Sequence, residues 1–221
     1  MKRALFVAGA HTDVGKTFCA CALARAARAR GLAVEALKPV VSGFDPTAWT
    51  DSDPGRLLAA LDRPLTTEAL DAISPLRFRA PLSPPMAARL EGVDLRLATL
   101  EGFCREGLAA SRADLVLVEG AGGVMSPMAE DATCLDLMIA LRLPVLLVGG
   151  SYLGSISHTL TAIETLRSRD LPIVAAVISE CGDPDAPDFR ETVASVAAFA
   201  GGLPVLAAPR GGIQSWPSLV I

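Results

Sequence analysis

A chain of 221 residues, apolar at 51% of its positions, is long enough to bury one sizeable core, and it has no charged or low-complexity block that would keep it disordered. Its formal net charge of −4 argues against a nucleic-acid partner, whose phosphates want a basic face. No run of about 18 uncharged apolar residues occurs and the apolar stretch after Lys2-Arg3 is too short for a signal peptide, so neither a membrane span nor membrane association is expected and a cytoplasmic protein is.

In chain order, the first expected strand, Ala4–Ala8, enters the segment Gly9-Ala10-His11-Thr12-Asp13-Val14-Gly15-Lys16-Thr17. A helix over Lys16–Arg30 follows, and Gly31 stands where a glycine C-cap belongs. A second strand is expected at Ala33–Leu37. From Ser42 to about Leu95 the chain is rich in Pro, Asp and Ser and reads as an irregular excursion, too long for a simple connection. The alternation then resumes, with helices at Leu95–Ser111, Cys134–Leu141, Ile156–Arg169 and Phe189–Ala200. The strands between and after them are Leu115–Val118, Val145–Val148, Ile173–Ile178 and Val205–Ala207. Pro144, Pro172 and Pro204 stand at strand starts, where a missing N–H does least harm. Several strands are apolar at consecutive positions, which suits burial on both faces of a parallel sheet. The order predicts an α/β fold, a single doubly wound domain over residues 1–221, with a loosely held end over 211–221.

Cys19, Cys21, Cys104, Cys134 and Cys181 include no Cys-x-x-Cys pair, and all read as reduced small apolar residues.

Chemistry concentrates at strand ends. A phosphate-binding loop needs small residues so that backbone N–H groups can surround an anion. In Gly9–Thr17, Gly15 allows the close approach, Lys16 reaches the terminal phosphates and the Thr17 hydroxyl suits magnesium. The first glycine lies one residue earlier than in the usual spacing, but strand before and helix after support a P-loop NTPase-like reading. Lys38, in Lys38-Pro39-Val40-Val41-Ser42-Gly43, leaves the second strand and is either a surface lysine or a second cation in the same crevice. Glu119, in Glu119-Gly120-Ala121-Gly122-Gly123, ends a buried strand opposite the loop, a place suited to magnesium. Asp51 and Asp53 are either magnesium carboxylates or solvated residues at a helix start. Leu153-Gly154-Ser155-Ile156-Ser157-His158 offers N–H groups at a helix start, for a carboxylate or simply for capping.

Taken in order along nearly the whole chain, these segments resemble the dethiobiotin synthetases. The lengthened loop, Lys-Pro-Val-x-Ser-Gly and Glu-Gly-Ala-Gly-Gly carry the resemblance. It implies ATP-dependent carboxylation and ring closure of 7,8-diaminononanoate with carbon dioxide, through a carbamate and a carbamic-phosphoric anhydride. It implies catalytic roles for Lys16 and Lys38. Nucleotide contacts would come from Asp13, Val14, Gly15, Lys16, Thr17, Phe18, Asp53, Glu119, Gly120, Ala121, Gly122, Ser179 and Glu180. Thr17, Asp53 and Glu119 would hold Mg2+. Substrate contacts would come from Thr12, Ser42, Gly154, Ser155 and Ser157, the last three from the partner subunit of a homodimer. The sequence departs from the family at His11, where an Asp is usual, and at Ser179-Glu180, where an Asn is common. The rival readings are a nucleotide-switch ATPase of the partition or septum-site type and a non-catalytic nucleotide-binding module. The first carries an extra lysine near the start of its loop, where this chain has Ala10, His11 and Thr12. Lys38 argues against the second.

Overall fold

The computed structural model describes residues 3–211 and 214–221. Met1 and Lys2, which open the N-terminal reading, and residues 212–213 of the C-terminal segment lie outside the described residues.

The chain begins with β1 (Arg3–Gly9), α1 (Lys16–Ala29), β2 (Val34–Leu37) and β3 (Val40–Ser42). It continues through α2 (Asp53–Ala60), α3 (Thr67–Ile73), β4 (Leu76–Phe78), α4 (Pro84–Leu90) and α5 (Leu97–Ala110). Then come β5 (Leu115–Glu119), β6 (Pro127–Ala129), β7 (Ala132–Thr133), α6 (Cys134–Leu141) and β8 (Val145–Gly149). It closes with α7 (Ser155–Arg167), β9 (Ile173–Ser179), α8 (Phe189–Phe199) and β10 (Val205–Ala208). Six strands form one sheet in the order β10-β9-β8-β1-β5-β2, and every pairing in it is parallel.

Each helix crosses to the next strand, so helices cover both faces. Alternation along β1 sorts the core: Phe6 and Ala8 point to one layer, Leu5 and Val7 to the other. The first layer holds Leu100 and Cys104 of α5, Leu137 and Met138 of α6, and Ile163 and Leu166 of α7. The second holds Leu23 and Ala24 of α1, Leu57 and Leu58 of α2, and Leu70 and Ile73 of α3. Complete burial of a side chain such as Leu23 contributes about 1.5–3 kcal/mol. Gly31, at φ 80, lets the Leu32 N–H reach the Ala27 carbonyl and ends α1. The carbonyls of Pro144, Pro172 and Pro204 accept ladder bonds from Phe6, Val145 and Ala176, so these prolines use the one backbone group they retain.

Two segments differ from expectation. The stretch 42–95 is not irregular: it holds α2, α3, β4 and α4, and β3 pairs with β4 in a two-stranded parallel sheet. Its helices are seven or eight residues long, too short for an apolar period to emerge. At the other end, Trp216 is 2% exposed in the layer beside α1, and the Arg30 guanidinium donates to the Ile221 carbonyl. The described part of the segment beyond residue 211 is therefore docked rather than loose.

Because the strands are parallel, their carboxyl ends lie along one edge of the sheet. Gly9, Glu119, Gly149 and Ser179 end four of them, and Lys38 follows the end of β2.

Candidate functional site

The loop from Gly9 to Thr17 turns between β1 and α1. Gly9 is fixed by space: a Cβ there would stand 2.7 Å from the His11 carbonyl oxygen and 2.9 Å from that of Gly122. Gly15 is fixed by conformation, with φ 88 at the N-cap of α1. Asp13 is also left-handed, at φ 56. These turns bring the loop back over its own lysine, and the Lys16 ammonium donates to the His11 carbonyl at 3.3 Å. Burial lowers the pKa of Lys16 and the neighbouring Lys38 lowers it further, so an anion in the loop would be welcome.

Beneath the loop, three elements meet on Glu119. Register places Glu119 opposite Val7 of β1, and its carboxylate is 1% exposed. Thr17, at the start of α1, donates its hydroxyl to Glu119 Oε1 at 2.7 Å. Lys38 Nζ approaches the same oxygen at 2.6 Å, Asp53 Oδ2 at 2.9 Å and the Gly120 carbonyl at 3.1 Å. Burial by itself would lower the pKa of Lys38, but Glu119 and Asp53 outweigh it and hold the ammonium well above the usual lysine range. For Asp53, burial is the largest influence and would raise the pKa, but Lys38, Thr17 and Lys16 together outweigh it and lower the pKa. Lys38 is thus an embedded cation and not a surface lysine. Asp53 sits at the head of α2 facing it, whereas Asp51 is exposed in the preceding 3-10 turn and stays out of the cluster.

Glu119 Oε2 is buried and lacks a hydrogen-bond partner. Two carboxylates and a hydroxyl are hard oxygen donors, too few for a closed metal cage. Among the described residues no three His, Cys, Asp or Glu side chains cluster as a metal site. The set fits a magnesium ion that takes its other ligands from phosphate and water, and the free Oε2 gives such an ion a place to bind.

Three cavities open around the loop. One of about 520 Å3 is lined by Asp13, Val14, Gly15, Phe18, Ser179 and Glu180, together with Arg56 and Arg210. Here Glu180 Oε2 accepts the Arg210 amide at 2.7 Å. A second, of about 400 Å3, lies between Thr12, Asp13, Ser42, Ala121, Gly122 and the turn Pro81–Pro84. The third, of about 430 Å3, runs from Ala10–Thr12 to His158 and Thr165 of α7, and shares Thr12, Ser126 and Pro127 with the second.

The expected residues therefore divide. Thr12 to Phe18, Lys38, Ser42, Asp53, Glu119 to Gly122, Ser179 and Glu180 all gather at the carboxyl edge. Gly154, Ser155 and Ser157 form the first turn of α7 and line none of the three cavities of their own chain. Ser155 departs furthest from expectation: it is 1% exposed, its hydroxyl is buried without a partner, and its amide donates to the Tyr152 carbonyl. The groups of that turn open to a ligand are on Gly154 and Ser157, which are exposed. Sequence reasoning missed Ser126, whose hydroxyl accepts the Gly123 amide at 2.7 Å and braces the glycine turn, and it missed Arg56. Ser126 follows the glycine run closely enough to have been suspected; Arg56, on a short helix, gives no signal.

All five cysteines are free thiols. Burial pushes Cys104 and Cys134 up to about 12, which keeps them inert.

A family model described as an AAA domain matches residues 3–209. The chain is 61% identical over 213 residues to the ATP-dependent dethiobiotin synthetase BioD of Phenylobacterium zucineum, covering 96% of this chain and 91% of that one. It is 57% identical to the protein of the same name from Caulobacter vibrioides, covering 99% and 97%. Solved structures of similar shape include the MinC:MinD cell division complex of Aquifex aeolicus. That match has TM-score 0.57 and 12% identity, covering 97% of this chain and 83% of that one. A ParA family ATPase of Chlorobium tepidum matches with TM-score 0.52 and 17% identity, covering 96% and 86%. These last two likenesses concern the fold alone.

Proposed function

Because the chain belongs to the dethiobiotin synthetase family and is an ATP-dependent ligase of biotin biosynthesis, we propose how its own residues divide the work. The observation that carries the reading is the buried Lys38 ammonium, shared between Glu119 and Asp53 directly beneath the phosphate loop.

ATP lies with its phosphates in the loop from Asp13 to Thr17, its ribose and base running past Phe18 toward Ser179 and Glu180. Lys16 holds the terminal phosphates. Thr17, Asp53 and Glu119 hold magnesium, which when bound neutralises charge on the phosphates. The diamine lies in the cavity between Thr12 and Ser42. One of its amines takes up carbon dioxide as a carbamate, and a carbamate oxygen attacks the γ-phosphate to give the mixed anhydride and ADP. The second amine attacks the anhydride carbon, closes the ureido ring and expels phosphate. The substrate supplies each nucleophile, so the protein needs none. Lys38 stands where charge grows on the carbamate and the transferred phosphoryl, and it stabilises both.

Gly154 and Ser157 receive the substrate carboxylate from the partner subunit of a homodimer. Both are exposed at the first turn of α7, where a second subunit could be reached. A cytoplasmic setting fits five free thiols, four of them buried.

The test is turnover of 7,8-diaminononanoate with bicarbonate and ATP, following ureido-ring formation. Normal ATP binding with no ring product would overturn the reading.

A further inference from the structure

The chemistry above assigns His11 no task. His11 and His158, the two histidines of the chain, stack on one another with ring centroids 5.4 Å apart and planes inclined by 11°. They come from different walls of one cavity, the loop and the first turn of α7. Each ring is also anchored to its own side. His11 Nδ1 lies 3.0 Å from the Thr12 carbonyl oxygen; a carbonyl only accepts, so Nδ1 carries the proton. His158 Nδ1 lies 2.7 Å from the Tyr152 hydroxyl, and the Tyr152 ring packs on Gly150 after β8.

The other face of this turn is already closed. A Cβ on Gly123 would stand 3.0 Å from the Ala10 carbonyl and 3.3 Å from His11 Cα. Gly123 therefore supports Ala10–His11 from beneath, and the Lys16 ammonium holds the His11 carbonyl. On the open side the His11 ring meets His158 and, with centroids 5.7 Å apart and planes inclined by 56°, the Tyr152 ring. Offset aromatic stacking is directional and adds energy beyond contact area.

We propose that His11 is a positioning residue: by stacking on His158 it fixes the Thr12 backbone at the mouth of the diamine cavity. It also sets the loop at a fixed distance from the first turn of α7. This rests on the reading that Thr12 contacts the diamine or its carbamate. His11 touches no reacting atom and acts through its neighbour. Its effect falls on the diamine side of the loop, because truncating the ring leaves the Lys16 bond to the His11 carbonyl and the Thr17 bond to Glu119 in place.

The test is steady-state kinetics on His11→Ala, His11→Phe, His158→Ala and the double alanine variant, with each KM measured separately. Both histidines are exposed, so truncation leaves the core intact. His11→Ala is expected to raise KM for the diamine about fivefold, the size of one aromatic contact, with KM for ATP unchanged. His11→Phe, which keeps a flat ring, is expected to restore most of the loss. Because His11 also touches Tyr152, the double variant should lose more than either single but clearly less than the product of the two single losses. An equal rise in both KM values, a failure of phenylalanine to rescue, or multiplicative losses in the double variant would each overturn the proposal. Thr12→Ala tests the underlying reading apart from His11: an unchanged diamine KM removes the substrate from Thr12 and takes the proposal with it.

Discussion

Lys38 Nζ stands 2.6 Å from Glu119 Oε1 at the adjoining ends of β2 and β5, and neither side chain is more than 2% exposed. These strands are neighbours in register, Leu37 beside Val118, so the ion pair sits at the sheet's edge, with Glu119 on the last residue of β5 and Lys38 one residue beyond β2. Removing one member of such a pair leaves a buried charge alone. Lys38→Ala is expected to lower kcat about a hundredfold or more while nucleotide affinity changes by less than about threefold. The checks are steady-state rates and a nucleotide titration on the same protein; equal loss of both would count against the role. The same variant should lose about 3–5 kcal/mol of stability, read from urea melts.

Stability should depend on pH through this cluster, with opposite signs at its two ends. Asp53 is held below its ordinary carboxylate value, so its contribution is present above about pH 4 and is lost as pH falls through the depressed value. Lys38 is held above its ordinary value, so its contribution is complete below about pH 10 and is lost as pH rises through the raised value. Urea midpoints measured across pH for the native chain and for Asp53→Asn should differ most at neutral pH and converge in acid.

Glu119→Gln keeps shape and removes charge. Manganese, as a spectroscopic substitute for magnesium, should bind the nucleotide-loaded variant at least tenfold more weakly, measured by electron paramagnetic resonance. An unchanged affinity would move the cation away from Glu119.

Gly15→Ala meets two obstacles: the left-handed φ, and Ser179 Oγ 2.5 Å from the new Cβ. Each should cost about 1 kcal/mol. Adding Ser179→Gly should therefore recover about half of the lost stability, as read by thermal melts. Full recovery would show that space alone fixes this glycine.

Trp216→Ala should destabilise the chain by about 3–5 kcal/mol, the cost of emptying a buried aromatic site. A loss below about 1 kcal/mol would show that the C-terminal segment is held elsewhere.

The sheet was legible because its strands are runs of apolar residues at consecutive positions, which only burial on both faces tolerates. Leu115 to Val118 is such a run, and all four residues are buried. The phosphate loop was legible because few local sequences place glycine, lysine and threonine between strand and helix. What sequence could not supply were distances between segments. Nothing near Lys38 shows that its ammonium would be divided between Glu119 and Asp53, since the parallel crossover that joins them is long. The same holds for His11 and His158, each unremarkable until the fold stacks their rings. The helices within 42–95 were missed because α2, α3 and α4 make two turns each, and the proline and aspartate at the starts of α2 and α4 read equally well as loop.

The hold that Glu119 and Asp53 keep on Lys38 has one more consequence. Carbon dioxide adds only to an uncharged amine, and in the proposed reaction it meets an amine close to this lysine. An unprotonated lysine at the end of β2 would compete with the substrate and become a carbamate itself. By keeping Lys38 an ammonium, its two carboxylates make it chemically deaf to the gas, so that this lysine does not compete with the diamine for carbon dioxide.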